Sequence, residues 1–311
     1  MARIIVTGGA GFIGSHVADA YIKDKHKVAI IDNLKNGNKR NINKKAKFYH
    51  VDIANRKELK EVFEDFKPNF VNHHAANSMV RVSIEKPYYD ARINILGSLN
   101  IINLSQEFKV KRFIYINSGG AGYGKPEKIP VKESHPIRPM SPYGASKHAP
   151  EKYLYVFNYL GGLDWLSLRY ANIYGPRQDP NGEAGVVAIF IGKMLKNEKP
   201  KIFGKGDHTR DYTYIDDVIK ANTIALTKKT KSKIFNIATG IETSVTQIYK
   251  MVKKELSSKV KALHTKEVPE VERISLDTSL AKKELSWVAK TSLRNGIKKT
   301  IKHMKKEVET P

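Results

Sequence analysis

A chain of 311 residues has room for one large domain or two modest ones. Apolar residues at 41% and charged residues at 28% place it among ordinary globular proteins and exclude a disordered chain. The absence of cysteine rules out disulfides, zinc–thiolate sites, iron–sulfur clusters and thiol catalysis, and fits a reducing compartment. Lys and Arg number 55 against 31 Asp and Glu, a net charge of +24. The surplus is spread: residues 250–311 hold 16 basic against 8 acidic side chains, and residues 1–50 hold 10 against 3. With no basic tail and no aromatic-interleaved stripe, this reads as a solvated surface that suits phosphorylated small molecules, and a nucleic-acid partner is not expected. The start, Met-Ala-Arg-Ile-Ile-Val-Thr-Gly, lacks a signal peptide's apolar core, and the longest apolar stretch, near 184–191, falls far short of the ~20 residues that span a bilayer. A cytoplasmic chain without membrane contact is the expectation.

Strand and helix patterns alternate through the first third. Arg3–Thr7 is a β-branched run, a glycine loop follows, and Ser15–Lys25 has helical spacing. Lys27–Ile31, Ala46–His50, Asn69–Asn72 and Lys111–Asn117 read as four further strands, the last after a helix pattern over Asn94–Glu107. Such alternation predicts an α/β fold of Rossmann type, a doubly wound parallel sheet with helices on both faces. The later chain has more Gly, Pro and Asn in loops, which predicts a smaller C-terminal substrate-binding lobe. The expected division is a dinucleotide-binding domain over 1–170, its sheet completed by segments near 211–240, and a lobe mainly over 171–311. A helical segment over Thr278–Lys306 closes the chain.

Thr7-Gly8-Gly9-Ala10-Gly11-Phe12-Ile13-Gly14 lies between the first strand and the first helix. Glycines at 8, 11 and 14 permit a tight turn, close approach of backbone to a pyrophosphate, and close helix–strand packing. The helix entered through Gly11, Phe12 and Ile13 turns its free N–H groups and positive dipole end toward the phosphates. Asp32, with Asn33 beside it, ends the second strand. Its carboxylate can accept both hydroxyls of the adenosine ribose and repels a 2′-phosphate, which selects NAD over NADP. Asp52-Ile53, after the third strand, is a candidate contact for the adenine edge.

Tyr143-Gly-Ala-Ser-Lys147 puts a phenol and an amine on one helical face. Tyr21/Lys25 and Tyr249/Lys253 share the spacing but have no hydroxyl-and-glycine loop beside them, so they read as surface pairs. Ser141-Pro142 supplies an N-cap and an N1 proline to the helix of Tyr143. The strand before it ends in Asn117-Ser118-Gly119-Gly120. A free phenol has a pKa of ~10, and a nearby ammonium with a positive nicotinamide can lower it by two or three units. Tyr143 then takes a hydroxyl proton while hydride leaves the same carbon; Lys147 binds the nicotinamide ribose and tunes the tyrosine; Ser118 donates to the developing oxyanion. His16, His26, His73 and His74 form no metal-ligand pattern with nearby carboxylates, so no metal is expected.

Together these residues resemble the extended short-chain dehydrogenase/reductase family, in particular nucleotide-sugar 4-epimerases of the UDP-glucose 4-epimerase type. The resemblance runs nearly end to end. It includes His74-Ala75-Ala76, Asn94, Ser118-Gly119-Gly120-Ala121-Gly122-Tyr123-Gly124, Arg169–Arg177, Ala184-Gly185-Val186-Val187, Gly204-x-Gly206, Arg210-Asp211-Tyr212-x-Tyr214-x-x-Asp217 and Phe235–Gly240. It implies oxidation of C4 of a UDP-sugar by tightly held NAD, rotation of the 4-keto sugar about its diphosphate, and hydride return to the other face. His74, Ala75 and Ala76 then belong to the cofactor site. Asn172, Val187 and Phe203 hold the uridine and diphosphate side, and Arg210 clamps phosphate with its planar fork. Helix patterns at 94–107 and 143–159 suit a four-helix interface between two copies, so a homodimer is expected.

Three departures stand out. Many relatives carry the Ser/Thr hydroxyl at the position of Gly119; here it is at Ser118, with Asn117 in place of a frequent serine. Pro150 interrupts the backbone donors of the catalytic helix and predicts a kink after Lys147. The family's second phosphate arginine begins an Arg-Pro-Gly-Glu stretch, which here reads Glu267-Val268-Pro269-Glu270, leaving Arg273 or, less favourably, Lys266 to substitute. The alternatives are an epimerase of a UDP-N-acetylhexosamine or UDP-uronate, another oxidoreductase or dehydratase of the family, or an NAD-sensing or nucleic-acid-binding relative without chemistry. A dehydratase needs an acid–base pair, which those relatives supply as adjacent Asp-Glu where this chain has Gly119-Gly120-Ala121.

Overall fold

The computed structural model describes residues 1–182, 185–267 and 270–309. The strands are β1 (Arg3–Thr7), β2 (Lys27–Ile31), β3 (Lys47–Tyr49), β4 (Phe70–His73), β5 (Arg112–Ser118), β6 (Trp165–Tyr170), β7 (Asn172–Tyr174), β8 (Lys201–Phe203), β9 (Thr209–Tyr214), β10 (Ile234–Ile237), β11 (Glu242–Ser244) and β12 (Leu263–Thr265). Seven of them form one sheet in the order β10-β6-β5-β4-β1-β2-β3, and every pairing in it is parallel. Crossovers force helices onto both faces, so the strands are apolar on both sides. In β1, Ile4 and Val6 pack into one apolar cluster and Ile5 into the other, the period of two that a strand imposes.

The helices are α1 (Phe12–Lys23), α2 (Arg56–Phe66), α3 (Val80–Glu85), α4 (Pro87–Ala91), α5 (Ser98–Glu107), α6 (Gly119–Tyr123), α7 (Pro142–Gly161), α8 (Val186–Leu195), α9 (Ile215–Thr227), α10 (Val245–Glu255) and α11 (Leu293–Glu309). Leu59 and Phe63 of α2, Ile101 and Leu104 of α5 and Leu154 of α7 cover one face of the sheet. On the other face Val17 and Tyr21 of α1 and Val218 and Ala221 of α9 join a cluster that continues through Phe190, Ile248, Trp287 and Ile301. The smaller lobe is therefore packed on the same core as the sheet. It carries a three-stranded sheet, β11-β9-β7, and the β12-β8 pair.

Several element expectations shift. The helix expected over Ser15–Lys25 starts at Phe12 and stops at Lys23, because Lys25 turns left-handed at φ 66°. The pattern over 94–107 is a π turn, Arg92–Gly97, followed by α5. The closing segment is not one helix. A π turn over Ala281–Leu285 ends at left-handed Ser286, and α11 begins only at Leu293. Trp287 enforces this break: it is buried and its indole donates to the Asp217 carbonyl at 2.9 Å. Tyr21 is not a surface residue. It is fully buried, accepting from Asn72 Nδ2 at 2.8 Å and donating to the Asn222 carbonyl at 3.3 Å, and those partners make a buried phenol tolerable. Among the described residues no helix is long and apolar enough to cross a membrane.

Candidate active site

The loops after β1, β4 and β5 meet at the carboxyl edge of the sheet, where parallel α/β folds place their ligands. Gly8 sits at φ 65°, and a Cβ added there would lie 2.7 Å from the Ala75 amide nitrogen. At Gly14 a Cβ would lie 2.3 Å from the Gly8 carbonyl oxygen, and at Gly11 3.2 Å from the same atom. No side chain caps α1 at Gly11, so the N–H groups of its first turn, Phe12 and Ile13 included, are open to an anion.

Asp32 follows β2, nearly buried, and accepts from the amides of Ala10 at 3.0 Å and Leu34 at 2.8 Å. It braces the glycine loop, a role its place in the sequence did not reveal. Asn33 Nδ2 donates to Asp52 Oδ2 at 3.1 Å, and Asp52 Oδ1 accepts from the Ala54 amide. Ile53 is buried against the turn at Gly97. His74 and Ala75 are tied to Thr7 by their amides, at 3.1 Å each. Ala76 continues the same loop. The His74 ring is held neutral, its pKa pulled to about 3 first by burial and then by the charge of Lys147, and its Nε2 is buried without a partner.

These observations fit a dinucleotide. Side chains are excluded where the backbone must approach it, a helix N-terminus is uncapped, and an acceptor stands at the ribose end of the loop. The orphaned His74 nitrogen and buried Lys147, which has no ion-pair partner among the described residues, mark the other end.

Ser141 caps α7 by accepting from the Gly144 amide at 3.1 Å, and the helix runs from Pro142 through Pro150 to Gly161. Tyr143 is held from outside by Ser83, whose Oγ accepts from the Tyr143 amide at 3.1 Å. Burial pushes its phenol up to about 12, with the Asp90 carboxylate adding to the rise and a hydrogen bond with Ser118 opposing it. The chain by itself therefore keeps Tyr143 protonated at neutral pH; the expected depression is not built into the protein alone. Lys147 goes the other way. Burial lowers its ammonium to about 7 against the lifting charges of Asp90 and Glu151, and its Nζ lies 4.6 Å from the centre of the Tyr115 ring. Ser118 closes β5 and caps α6, accepting from the Ala121 amide at 3.3 Å. Gly122 is needed because a Cβ there would fall 1.6 Å from His148 Nε2.

Beneath the pair, Glu151 accepts from Arg169 Nη2 at 2.6 Å, Ser167 Oγ at 2.6 Å and Asn117 Nδ2 at 2.7 Å. Desolvation is the largest influence on this carboxyl, yet its hydrogen bonds with His148 and Arg169 outweigh it and hold it well below the usual carboxylate range. Arg169 is thus a structural ion pair. Asp211 likewise serves structure: it accepts from the Thr239 and Gly240 amides at 2.9 and 2.7 Å, joining two of the motifs.

The substrate-side residues divide. Asn172 on β7 and Phe203 on β8 are exposed, while the Val187 side chain is buried in the core, leaving its backbone N–H at the uncapped start of α8. Arg210 on β9 points its Nη2 at Glu270 Oε2, 2.7 Å away. The other oxygen of Glu270 meets His208 Nδ1 at 3.2 Å, and His208 Nε2 meets Glu267 at 3.1 Å. Arg273 binds Glu242 through two nitrogens, at 3.0 and 2.7 Å. Ala184, Val268 and Pro269 lie outside the described residues. Sequence reasoning missed His208, Ser83 and Asp90; the spacing of Asp90 four residues before Asn94 was its one available signal.

A glycine loop on a parallel sheet, a strand-end carboxylate and a half-buried tyrosine one turn from a buried lysine fit a dinucleotide-dependent enzyme of the short-chain dehydrogenase/reductase type. Comparison with known proteins narrows this. The model of the NAD dependent epimerase/dehydratase family matches residues 4–238, and the chain belongs to that family. A UDP-glucose 4-epimerase from Thermotoga maritima, solved with UDP-glucose, is 42% identical, with 98% of this chain and 99% of that one covered and a TM-score of 0.96. The UDP-glucose 4-epimerase of Thermus thermophilus in complex with NAD is 37% identical over 97% and 99% of the two chains, with a TM-score of 0.93. A UDP-N-acetylglucosamine 4-epimerase from Methanobrevibacter ruminantium is 32% identical over 98% and 99%, with a TM-score of 0.92.

Proposed function

We propose that this protein is an NAD-dependent 4-epimerase of a UDP-sugar, with UDP-glucose and UDP-galactose as its first substrates. The observation that carries the reading is the Tyr143–Lys147 pair, whose phenol hydrogen-bonds with Ser118 and whose buried ammonium acts on His74 of the loop that abuts Gly8. NAD, when bound, supplies a hydride acceptor that is restored within each turnover and a positive charge beside the phenol.

The chain's own residues do the rest. The glycine loop, the first turn of α1 and Asp32 hold the dinucleotide. Tyr143 Oη takes the proton of the C4 hydroxyl and returns it, while Ser118 Oγ donates to the same oxygen as its charge develops. Lys147 carries the ammonium that favours the phenolate. Arg210, the first turn of α8, Asn172 and Phe203 hold the uridine diphosphate end, so the sugar can present either face. Arg210 must exchange Glu270 for phosphate when substrate arrives. We place the protein in the cytoplasm as a homodimer. Tyr88 at 92%, Tyr159 at 81% and Leu160 at 74% exposure leave an apolar face on α4 and α7 that a second copy would cover.

The test is incubation of the purified protein, without added NAD, with UDP-galactose, UDP-N-acetylglucosamine and UDP-glucuronate separately. A C4-inverted product from UDP-galactose supports the reading. Inversion of only the N-acetylated sugar or the uronate reassigns the substrate, and no product from any of them rejects it.

A further inference from the structure

Asp90 is a fully buried carboxylate with no cation within ion-pair distance among the described residues. Its charge is held entirely by neutral donors. Oδ1 accepts from Asn77 Nδ2 at 2.7 Å and Asn94 Nδ2 at 3.0 Å, and Oδ2 accepts from Ser146 Oγ at 2.5 Å. Asn94 Nδ2 also reaches Ser146 Oγ at 3.0 Å and the Asn77 carbonyl at 3.0 Å, and its Oδ1 accepts from the Asn77 amide at 2.8 Å. These four side chains come from the loop after β4, from α4, from the π turn and from α7. Asn77 belongs to the loop that carries His74 to Ala76. Ser146 lies on α7 between Tyr143 and Lys147.

A buried charge costs several kcal/mol even after relaxation, and a neutral residue of similar shape would avoid the cost. Among the described residues Lys147 likewise has no carboxylate within ion-pair distance. Asp90 and Lys147 are thus two buried groups of opposite charge, neither ion-paired among the described residues, and Ser146 links them: its Oγ donates to Asp90 and it precedes Lys147 on α7. We propose that Asp90 is a positioning residue of the catalytic pair: it clamps the α7 turn between Tyr143 and Lys147 to the cofactor loop, and its negative charge sets the protonation of both. The inference rests on the epimerase reading for its consequence in turnover and, for its effect on Lys147, on the contact of Asp90 with Ser146, the residue before Lys147.

The groups facing Lys147 are Asp90 from α4, Glu151 from its own helix, His73 at the end of β4, His74 from the loop after it, Tyr115 from β5 and Tyr143 one turn away. Both histidines are held neutral, chiefly by burial. Glu151 is shared with Arg169. Asp90 is then the carboxylate whose charge is not already matched by a cation. A negative charge there favours the proton on Lys147 and on Tyr143 alike, so its removal must move both equilibria toward lower pH.

The experiment uses Asp90→Asn, with Asp90→Ser as a second neutral variant should the first not fold. Protein labelled with 13C at lysine Cε is titrated by NMR without substrate, the Lys147 resonance being the one lost in Lys147→Met. In the native protein its midpoint lies below the ordinary lysine range, and in the neutral variant that midpoint falls further, by at least ~0.5 unit. In turnover, both limbs of the pH–kcat profile move to lower pH, KM stays within about twofold and kcat above the optimum drops at least ~5-fold. Ser146→Ala, which removes one clamp and keeps the charge, leaves the lysine midpoint in place. A neutral Asp90 variant whose Lys147 midpoint is unmoved, or whose profile is scaled without shifting, overturns the proposal. Because the titration needs no substrate, its failure is separable from a failure of the epimerase reading, which shows as no turnover in the native protein.

Discussion

Tyr143 and Lys147 stand one helical turn apart, and burial drives their proton equilibria away from each other, the phenol up to about 12 and the ammonium down to about 7. In each case burial outweighs the groups that favour the charged form, Ser118 for the phenol and Asp90 and Glu151 for the ammonium. On the proposed reading a bound dinucleotide would add positive charge that favours the phenolate, which couples the chemistry to cofactor occupancy.

Tyr143→Phe tests the base directly. The substitution removes one oxygen from a half-buried ring and leaves the glycine loop untouched. We expect kcat to fall at least ~1000-fold, about 4 kcal/mol at the transition state, with NAD affinity changed less than ~3-fold. Stopped assays and equilibrium dialysis measure the two.

Lys147→Met tests whether the amine is strained in the cofactor-free protein. The folded-state pKa of about 7 lies below the ordinary 10.5, so the folded chain binds fewer protons than the unfolded chain between those values. The amine's contribution to stability therefore rises with pH through that window, and its burial cost is complete below about 7. The variant should unfold at higher temperature than the native protein near pH 6, by an effect on the order of 2–4 kcal/mol, and the advantage should vanish as pH approaches 10.5. A constant difference across pH would show that the amine is not strained.

Asp32→Ser should weaken discrimination against the 2′-phosphate. On the proposed reading the carboxylate repels the 2′-phosphate of NADP, and its loss should reduce the NAD-over-NADP affinity ratio at least ~10-fold. Because Asp32 also braces the Ala10 amide, NAD binding itself should weaken by a smaller factor. Fluorescence titration with both nucleotides separates the two effects.

Arg210 and Glu267 give a paired test at the diphosphate. Arg210→Ala should raise the Kd for UDP by ~10–100-fold, the range of a charge-assisted bidentate contact. Glu267 stands where the family resemblance would place an arginine, and it pairs with His208. Glu267→Arg should therefore tighten UDP binding several-fold, and calorimetry with UDP alone reads both variants.

Much of the sheet was legible, because a buried parallel strand must be apolar on both faces and Ile4, Val28, Val71 and Phe113 announce it. The glycine loop was legible because backbone geometry leaves no room for a side chain at 8 or 14. Networks that join distant segments were not. Nothing local marks Arg169 as the partner of Glu151, or Asp211 as the brace of Thr239. The mistaken surface reading of Tyr21 has the same origin, since its partners Asn72 and Asn222 lie 51 and 201 residues away. Asp90 was invisible for a further reason: its partners are amides and a hydroxyl, which carry no charge pattern.

The central claim is that one bound cofactor removes hydride from C4 and gives it back to the same carbon. UDP-galactose carrying deuterium at C4, incubated with the purified protein in ordinary water, decides it. The account predicts UDP-glucose with deuterium still at C4 in essentially every product molecule. Product that has lost its label to solvent, or inversion without any dependence on Tyr143, would contradict it.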